Sequence, residues 1–261
     1  MKSRISDKTR EKRGLGKGDR ESYASHIKRR DFSAHSRVHE IQGQKFARPY
    51  VLLSDLERKF FFHFDFSHQI KDIKEQFPLR PLEATQSIAA DCQIKHPQNE
   101  KGEDVVMTTD FLVTVQQIDT EETIAVSIKP SSNLTRRTIE KMQIEKKYWN
   151  DQGIKWVLLT EKQINAIQNN NLSFFRDFFI IQEDYSEQIL NALRTEVGKP
   201  EKTIKEFISE IAKVLKVTDG VCRRNFHHLL SRRKVCFDYT KSFNFNFPLT
   251  EIILIQNETS H

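Results

Sequence analysis

Apolar positions first become periodic after residue 50. Ser54-Asp55-Leu56-Glu57 sets a serine three residues ahead of a glutamate, and Phe60, Phe61 and Phe64 follow; the pattern predicts a helix opened by a capping box. Residues 72–77 predict a short strand closed by Pro78 and Pro81. A polar stretch, 96–104, separates the apolar run 88–94 from a second strand over 105–115. The charged residues 116–122 predict a turn, and 123–129 a third strand stopped by Pro130. Ile139, Met142 and Trp149 recur on a helical period across 138–150, Gly153 ends that helix, and the apolar run 154–159 suits a buried strand. This alternation predicts an α/β domain over 49–167, a mixed sheet flanked by helices.

Beyond it the pattern changes. The polar residues 168–171 predict a boundary loop, and Phe174, Phe175, Phe178 and Phe179 form an apolar patch. Thr203-Ile204-Lys205-Glu206 is a second capping box, with Ile204, Phe207, Ile208, Ile211, Val214 and Leu215 on one helix face. A turn over 217–220, a helix over 221–231 and strands over 235–239 and 242–247 complete the order helix, turn, helix, hairpin. That is the order of a winged-helix-like domain, assigned to 168–261.

Charge adds a third part. Residues 1–48 hold 14 Lys and Arg against 6 Asp and Glu, including Lys2, Arg4, Arg29 and Arg30 among Gly and Ser; the rest of the chain holds 28 against 30. This predicts a basic, largely flexible arm over 1–48 that lies along nucleic-acid phosphates or stays a solvated tail. The arm has no apolar core of a signal peptide, and no run approaches the ~20 apolar residues needed to cross a bilayer. Cys92, Cys222 and Cys236 form no C-x-x-C pair, which fits reduced thiols in a cytoplasm and offers no zinc site. His63, His68 and His96 stand at no ligand spacing.

Candidate chemistry converges in one place. Asp110 interrupts the β-favouring run Thr108-Thr109-Asp110-Phe111-Leu112-Val113. In the next strand Ser127 and Lys129 share a face, about 6.6 Å apart. Carboxylates that hold Mg²⁺ beside a lysine suit phosphodiester hydrolysis, although an exposed strand face explains the same spacing. An acid on an early helix, here Glu57, then Asp, then polar-x-Lys is the layout of restriction-endonuclease-like cores. Glu57 is equally explained by its capping box.

Several segments resemble TnsA endonucleases: Leu52-Leu53-Ser54-Asp55-Leu56-Glu57, Asp72-Ile73-Lys74-Glu75-Gln76-Phe77-Pro78-Leu79, Ile94-Lys95-His96-Pro97, Met107 through Val113, Ile128-Lys129-Pro130, and Glu140-Lys141 through Lys147-Tyr148-Trp149. The likeness runs in unbroken order over residues 50–165; beyond them it is one of length and helices. It implies a restriction-endonuclease-like core and a bacterial, cytoplasmic, metal-dependent endonuclease subunit of a cut-and-paste transposase. Such a subunit cuts the 5′ ends of the element while a DDE-type recombinase partner cuts and joins the 3′ ends. An AAA-type ATPase regulator would dock on the C-terminal domain.

The family's catalytic positions fall on Glu57, Asp110, Ser127 and Lys129. Glu57 and Asp110 would bind Mg²⁺ (Mn²⁺ substituting), Ile128 would add its backbone carbonyl, and Lys129 would act near the attacking water. DNA contacts are expected at Arg29, Arg30, His96, Arg223 and Arg224, the last two on a recognition helix that serves equally as a protein-docking surface. One departure stands out: where Ser127 stands, the best-known member of the family has Gln and most relatives of the fold have Glu. Ser127 as a neutral ligand implies a water bridge, a weak second metal site that Ser127→Glu would tighten, or an inactivated core serving as an assembly module. A stand-alone restriction-like or repair nuclease is the alternative enzyme.

Overall fold

The computed structural model describes residues 6–32 and 37–255. It forms two units, Met1–Ile164 and Asn165–His261. The first begins with α1 (Asp7–Lys12), then a ribbon of β1 (His39–Gln42) and β2 (Pro49–Leu52) leading into α2 (Asp55–Phe66). There follow β3 (Ile70–Pro78), α3 (Leu82–Asp91), β4 (Thr108–Gln116), β5 (Glu121–Ile128), α4 (Arg136–Asn150) and β6 (Lys155–Leu159). The central sheet has the order β3-β4-β5-β6, antiparallel except for the last pair. That parallel pair requires a crossover, which α4 supplies.

The sequence explains both layers. Ser54 accepts the Glu57 N–H and starts α2, as the capping box predicts. Leu112 and Ala125 face one way from the sheet and bury against Leu79, Ile88, Ile144, Tyr148 and Trp149. Phe111 alternates to the other face, where Phe64 of α2 meets it edge-on at 5.4 Å. The mixed α/β core expected over 49–167 is present.

The flexible arm is not. Residues 6–32 pack onto the first unit, burying Arg10, Leu15 and Tyr23. Arg10 donates to the His26 carbonyl at 2.5 Å and to Asp31 at 2.8 Å. Tyr23 donates its hydroxyl to the Glu75 carbonyl at 3.0 Å. Arg48 pairs with the wholly buried Glu75 at 2.7 Å, with its guanidinium 3.7 Å from the Tyr50 ring centre. A net charge counts these cations as solvated, whereas Asp31 and Glu75 neutralise two of them and the aromatic rings supply burial. Lys2 and Arg4 lie outside the described residues.

The second unit holds α5 (Ala166–Arg176), α6 (Ser186–Glu196), α7 (Ile204–Leu215) and α8 (Asp219–Ser231), with β7 (Val235–Cys236) paired to β8 (Ile253–Leu254). Two expectations fail here. The polar residues 168–171 are helical, inside α5, because Asn165 caps the helix and Asn171 turns its amide to the carbonyls of Tyr239 and Lys241, both at 2.8 Å. The 235–239/242–247 hairpin does not form. The carbonyls of Phe245 and Phe247 instead receive the N–H groups of Lys205 and Ile204, donors that the first turn of α7 would leave without partners. The capping box of α7 is present.

Candidate active site

Pairing between β4 and β5 ends at Phe111 and Val126, and past that point the strands part. Ile128 then has its N–H free, and Asp110 Oδ2 accepts it at 2.6 Å. The same oxygen takes the ammonium of Lys129 at 2.7 Å. Asp110 and Lys129 thus meet as the strand spacing predicts, and burial against Lys129 is outweighed by the Asp110 charge, which raises its proton affinity. Lys129 therefore rests as an ammonium.

Glu57 is 5 % exposed and reaches this place from the first turn of α2. Leu53 N–H (2.8 Å), the Ser54 hydroxyl (3.0 Å) and the Gln76 amide (3.0 Å) all donate to its carboxylate. Burial first, and the nearby Asp110 charge second, push its pKa up to about 8. Ser54 caps the helix, but the Glu57 carboxylate reaches past the Ser54 N–H to that of Leu53, so the capping box is only half made, and Glu57 lies within the influence of Asp110. Gln76 was not anticipated. It takes a left-handed backbone (φ 50°) in the middle of β3, uncommon for a residue with a side chain, and its own carbonyl oxygen accepts from the Thr108 hydroxyl at 3.3 Å.

Ser127 is buried, and its hydroxyl donates to both oxygens of Glu145, at 2.7 Å each. Thr109 donates to the same carboxylate at 2.8 Å and accepts from the Trp149 indole at 2.6 Å. Glu145, on α4, is a second residue the sequence reading missed. Its only signal is an acid on the α4 face that also carries Met142 and Trp149, easily taken for a solvated position. Burial, then Asp110, raise its pKa to about 7. The Ser127 hydroxyl is thus committed to Glu145, a carboxylate that the neighbouring helix brings beside the strand. Beside them a cavity of about 250 Å³ is walled by Thr108, Lys129, Lys141, Met142 and Glu145.

The expected DNA contacts fare differently. His96 is buried, with Nε2 3.0 Å from the Thr85 hydroxyl and Nδ1 3.1 Å from the Pro97 carbonyl, so it braces the loop after α3. Arg29 and Arg30 line a separate cavity in the first unit. On α8, His227 and Ser231 continue the helix face of Arg223 and are buried, so that part of the expected recognition helix is core. Arg223 lies over the Phe245 ring at 5.1 Å, which leaves Arg224 exposed.

Among the described residues no three His, Cys, Asp or Glu side chains converge tightly enough to hold a metal by themselves. Two carboxylates completed by water and substrate oxygens is nevertheless the usual way Mg²⁺ is held. Burial first, and the Asp110 charge second, raise the proton affinities of Glu57 and Glu145, and a cation would offset both effects. The donor set fits.

Residues 67–161 match the family model described as TnsA-like endonuclease N terminal. Over 183 residues the chain is 36% identical to the transposon Tn7 transposition protein TnsA of Escherichia coli, a match covering 70% of this chain and 65% of that protein. The chain therefore matches less than two thirds of that relative's length. Asp110, Ser127, Lys129 and Glu145 lie inside residues 67–161, and Glu57 precedes them.

Proposed function

This chain belongs to the TnsA-like endonuclease family, and from that premise we propose that it hydrolyses phosphodiesters at the 5′ ends of a mobile DNA element as one subunit of a cut-and-paste transposase. The observation that carries the reading is the Asp110–Lys129–Ile128 cluster at the parting of β4 and β5, with Glu57 facing it. Glu57, Asp110 and the Ile128 carbonyl would hold Mg²⁺ or Mn²⁺, which would polarise a phosphoryl oxygen and make water more acidic.

The chain's own groups do the rest. Lys129, fixed by Asp110, keeps its positive charge where a phosphoryl oxygen gains negative charge. Gln76, Ser54 and the Leu53 N–H fix the Glu57 carboxylate. Ser127 and Thr109 fix Glu145, whose pKa of about 7 lets it accept a proton near neutrality. Lys141, on the cavity wall, is placed to hold the phosphate of the cut strand.

A DDE-type recombinase would cut and join the other strand, and an AAA-type ATPase regulator would dock on the second unit. Supporting that last role, residues 166–261 hold 13 basic against 12 acidic side chains, too even a balance for a DNA surface, while Ile180 and Val214 are exposed. No helix among the described residues is long and apolar enough to cross a membrane.

The test is cleavage of a plasmid carrying the element's ends, with and without the partner recombinase. Asp110→Ala and Lys129→Ala should each abolish 5′-end cutting, a loss of several kcal/mol of transition-state stabilisation at ~1.4 kcal/mol per tenfold. Full cutting by folded Asp110→Ala protein defeats the reading. Cutting by the wild-type chain alone would favour a stand-alone nuclease.

A further inference from the structure

A cavity of about 360 Å³ in the first unit lies among Ser25, Lys28, Arg29, Arg30, Glu40 and Val51. Ser25 is 2 % exposed, and its hydroxyl has no hydrogen-bond partner among the described residues. A buried polar atom without a partner costs about 1–3 kcal/mol, so its persistence needs a reason. Lys28 is partly buried beside it, and among the described residues neither it nor Arg30 forms an ion pair. Burial lowers the Lys28 proton affinity, and the attraction of Glu75 and Glu40 does not make up for it. Against three cations the wall sets one acid, Glu40. A hydroxyl donor, an ammonium and guanidinium groups around one space are the partners of a tetrahedral oxyanion. Arg30 and Glu40 are exposed, so the cavity has a solvent-facing rim across which a polymer can lie.

We propose that this cavity seats one phosphate of the DNA backbone, held by Ser25, Lys28 and Arg30, as an anchor separate from the carboxylate cluster. The proposal rests on the DNA-cutting reading and deepens it. Val51 of the cavity wall stands two residues before Leu53, whose N–H holds Glu57. That is roughly 7 Å of extended chain, so a strand fixed here is brought close to Glu57. The anchor would set the register of the strand to be cut, and it carries no base readout, since phosphate contacts position without specifying sequence.

The test measures binding of the full chain to a fluorescent duplex of the element's end, by anisotropy, between about 50 and 200 mM salt. Lys28→Gln and Arg30→Gln should each weaken binding several-fold and flatten the slope of log affinity against log salt by about 0.9, the signature of one lost phosphate contact. Arg30 is exposed, so its replacement reports on binding even if Lys28→Gln or Ser25→Ala loosens the fold. Ser25→Ala should weaken binding without changing the slope. Asp110→Asn should lose cutting and keep the wild-type slope; if it cuts normally while the other variants behave as stated, the anchor stands and the catalytic reading falls. Wild-type affinity and slope in both charge variants overturn the anchor. If inorganic phosphate then raises the melting temperature of the wild type but not of Lys28→Gln, the seat belongs to a free phosphate. A wild-type chain that neither binds nor cuts DNA overturns both readings.

Discussion

Replacing Ser127 by Glu gives β5 the carboxylate that most relatives of the fold carry there, and the sequence alone predicts tighter metal binding. The geometry predicts a cost in stability. Ser127 is 1 % exposed, and its hydroxyl already lies 2.7 Å from both oxygens of Glu145. A glutamate there sets two buried carboxylates side by side, repelling by about 4 kcal/mol at a separation near 4 Å and an effective dielectric of 20. The larger side chain adds about 1–3 kcal/mol of overpacking. Holding one carboxyl protonated relieves part of the repulsion, so a net loss of about 4 kcal/mol is expected. That approaches the whole stability of many domains. At ~2–4 °C per kcal/mol it lowers the melting temperature by roughly 10 °C or more. Ser127→Ala should cost only about 1.5–3 kcal/mol, the worth of a hydrogen bond to a charged group. The decisive variant is the exchange, Ser127→Glu with Glu145→Ser, which keeps one acid and nearly the same volume. It should recover most of the lost stability, with a coupling of about 3 kcal/mol, and cutting should return with it. The assays are calorimetric melting of the three variants and cleavage with the partner recombinase. If Ser127→Glu melts like the wild type, or the two changes add within ~0.5 kcal/mol, Glu145 does not fill the place of the strand's missing acid.

Three further outcomes test other parts of the structure. Arg48→Met leaves Glu75 charged and wholly buried, and should cost about 3–5 kcal/mol in urea unfolding; Arg48→Met with Glu75→Leu should cost much less, because removing both charges removes the desolvation. Deleting residues 6–32 should destabilise the first unit, since Leu15 and Tyr23 leave its core; an unchanged melting temperature would restore the flexible arm. His227, enclosed by aromatic rings, has its pKa lowered from 6.5 to about 4, by burial first and the Arg223 charge second. The folded form then binds fewer protons than the unfolded form between those values, so stability present above 6.5 is lost as pH falls toward 4, about 3 kcal/mol in all. His227→Leu should flatten that acid limb, and an unchanged limb would mean the ring is protonated in the fold.

Much of this was legible where local chemistry decides. The Ser54 N-cap, the capping box at Thr203, the strands around Asp110 and Lys129, and the Asp110–Lys129 pairing follow from spacing within one or two elements. What escaped depends on contacts distant in sequence. Glu145 lies 18 residues from Ser127, and nothing local tells an acid buried against two hydroxyls from one in water. Gln76 reaches Glu57 across 19 residues from a backbone turned to φ 50°. The arm was misread for the same reason, because Arg10 and Arg48 find their acids 21 and 27 residues away. Asn171 shows the error in reverse: a polar residue read as loop sits inside a helix, with carbonyls 68 and 70 residues on satisfying its amide.

The placement of the acids carries a separate argument. Glu57, Asp110 and Glu145 surround one ammonium, Lys129, so the cluster is two negative charges in surplus when all are ionised. A buried ion pair kept for stability alone is commonly matched or bettered by apolar side chains. Here the imbalance is larger than a pair, and burial together with the Asp110 charge makes Glu57 and Glu145 hold protons more tightly. Each acid is nevertheless fixed by at least two donors, which prevents it from swinging away to water. Fixing repelling charges at a cavity wall destabilises the empty protein, and the arrangement becomes favourable only when positive charge arrives. That is the behaviour of a preorganised site rather than of a structural network, and it supports the proposed centre of the chemistry where β4 and β5 part.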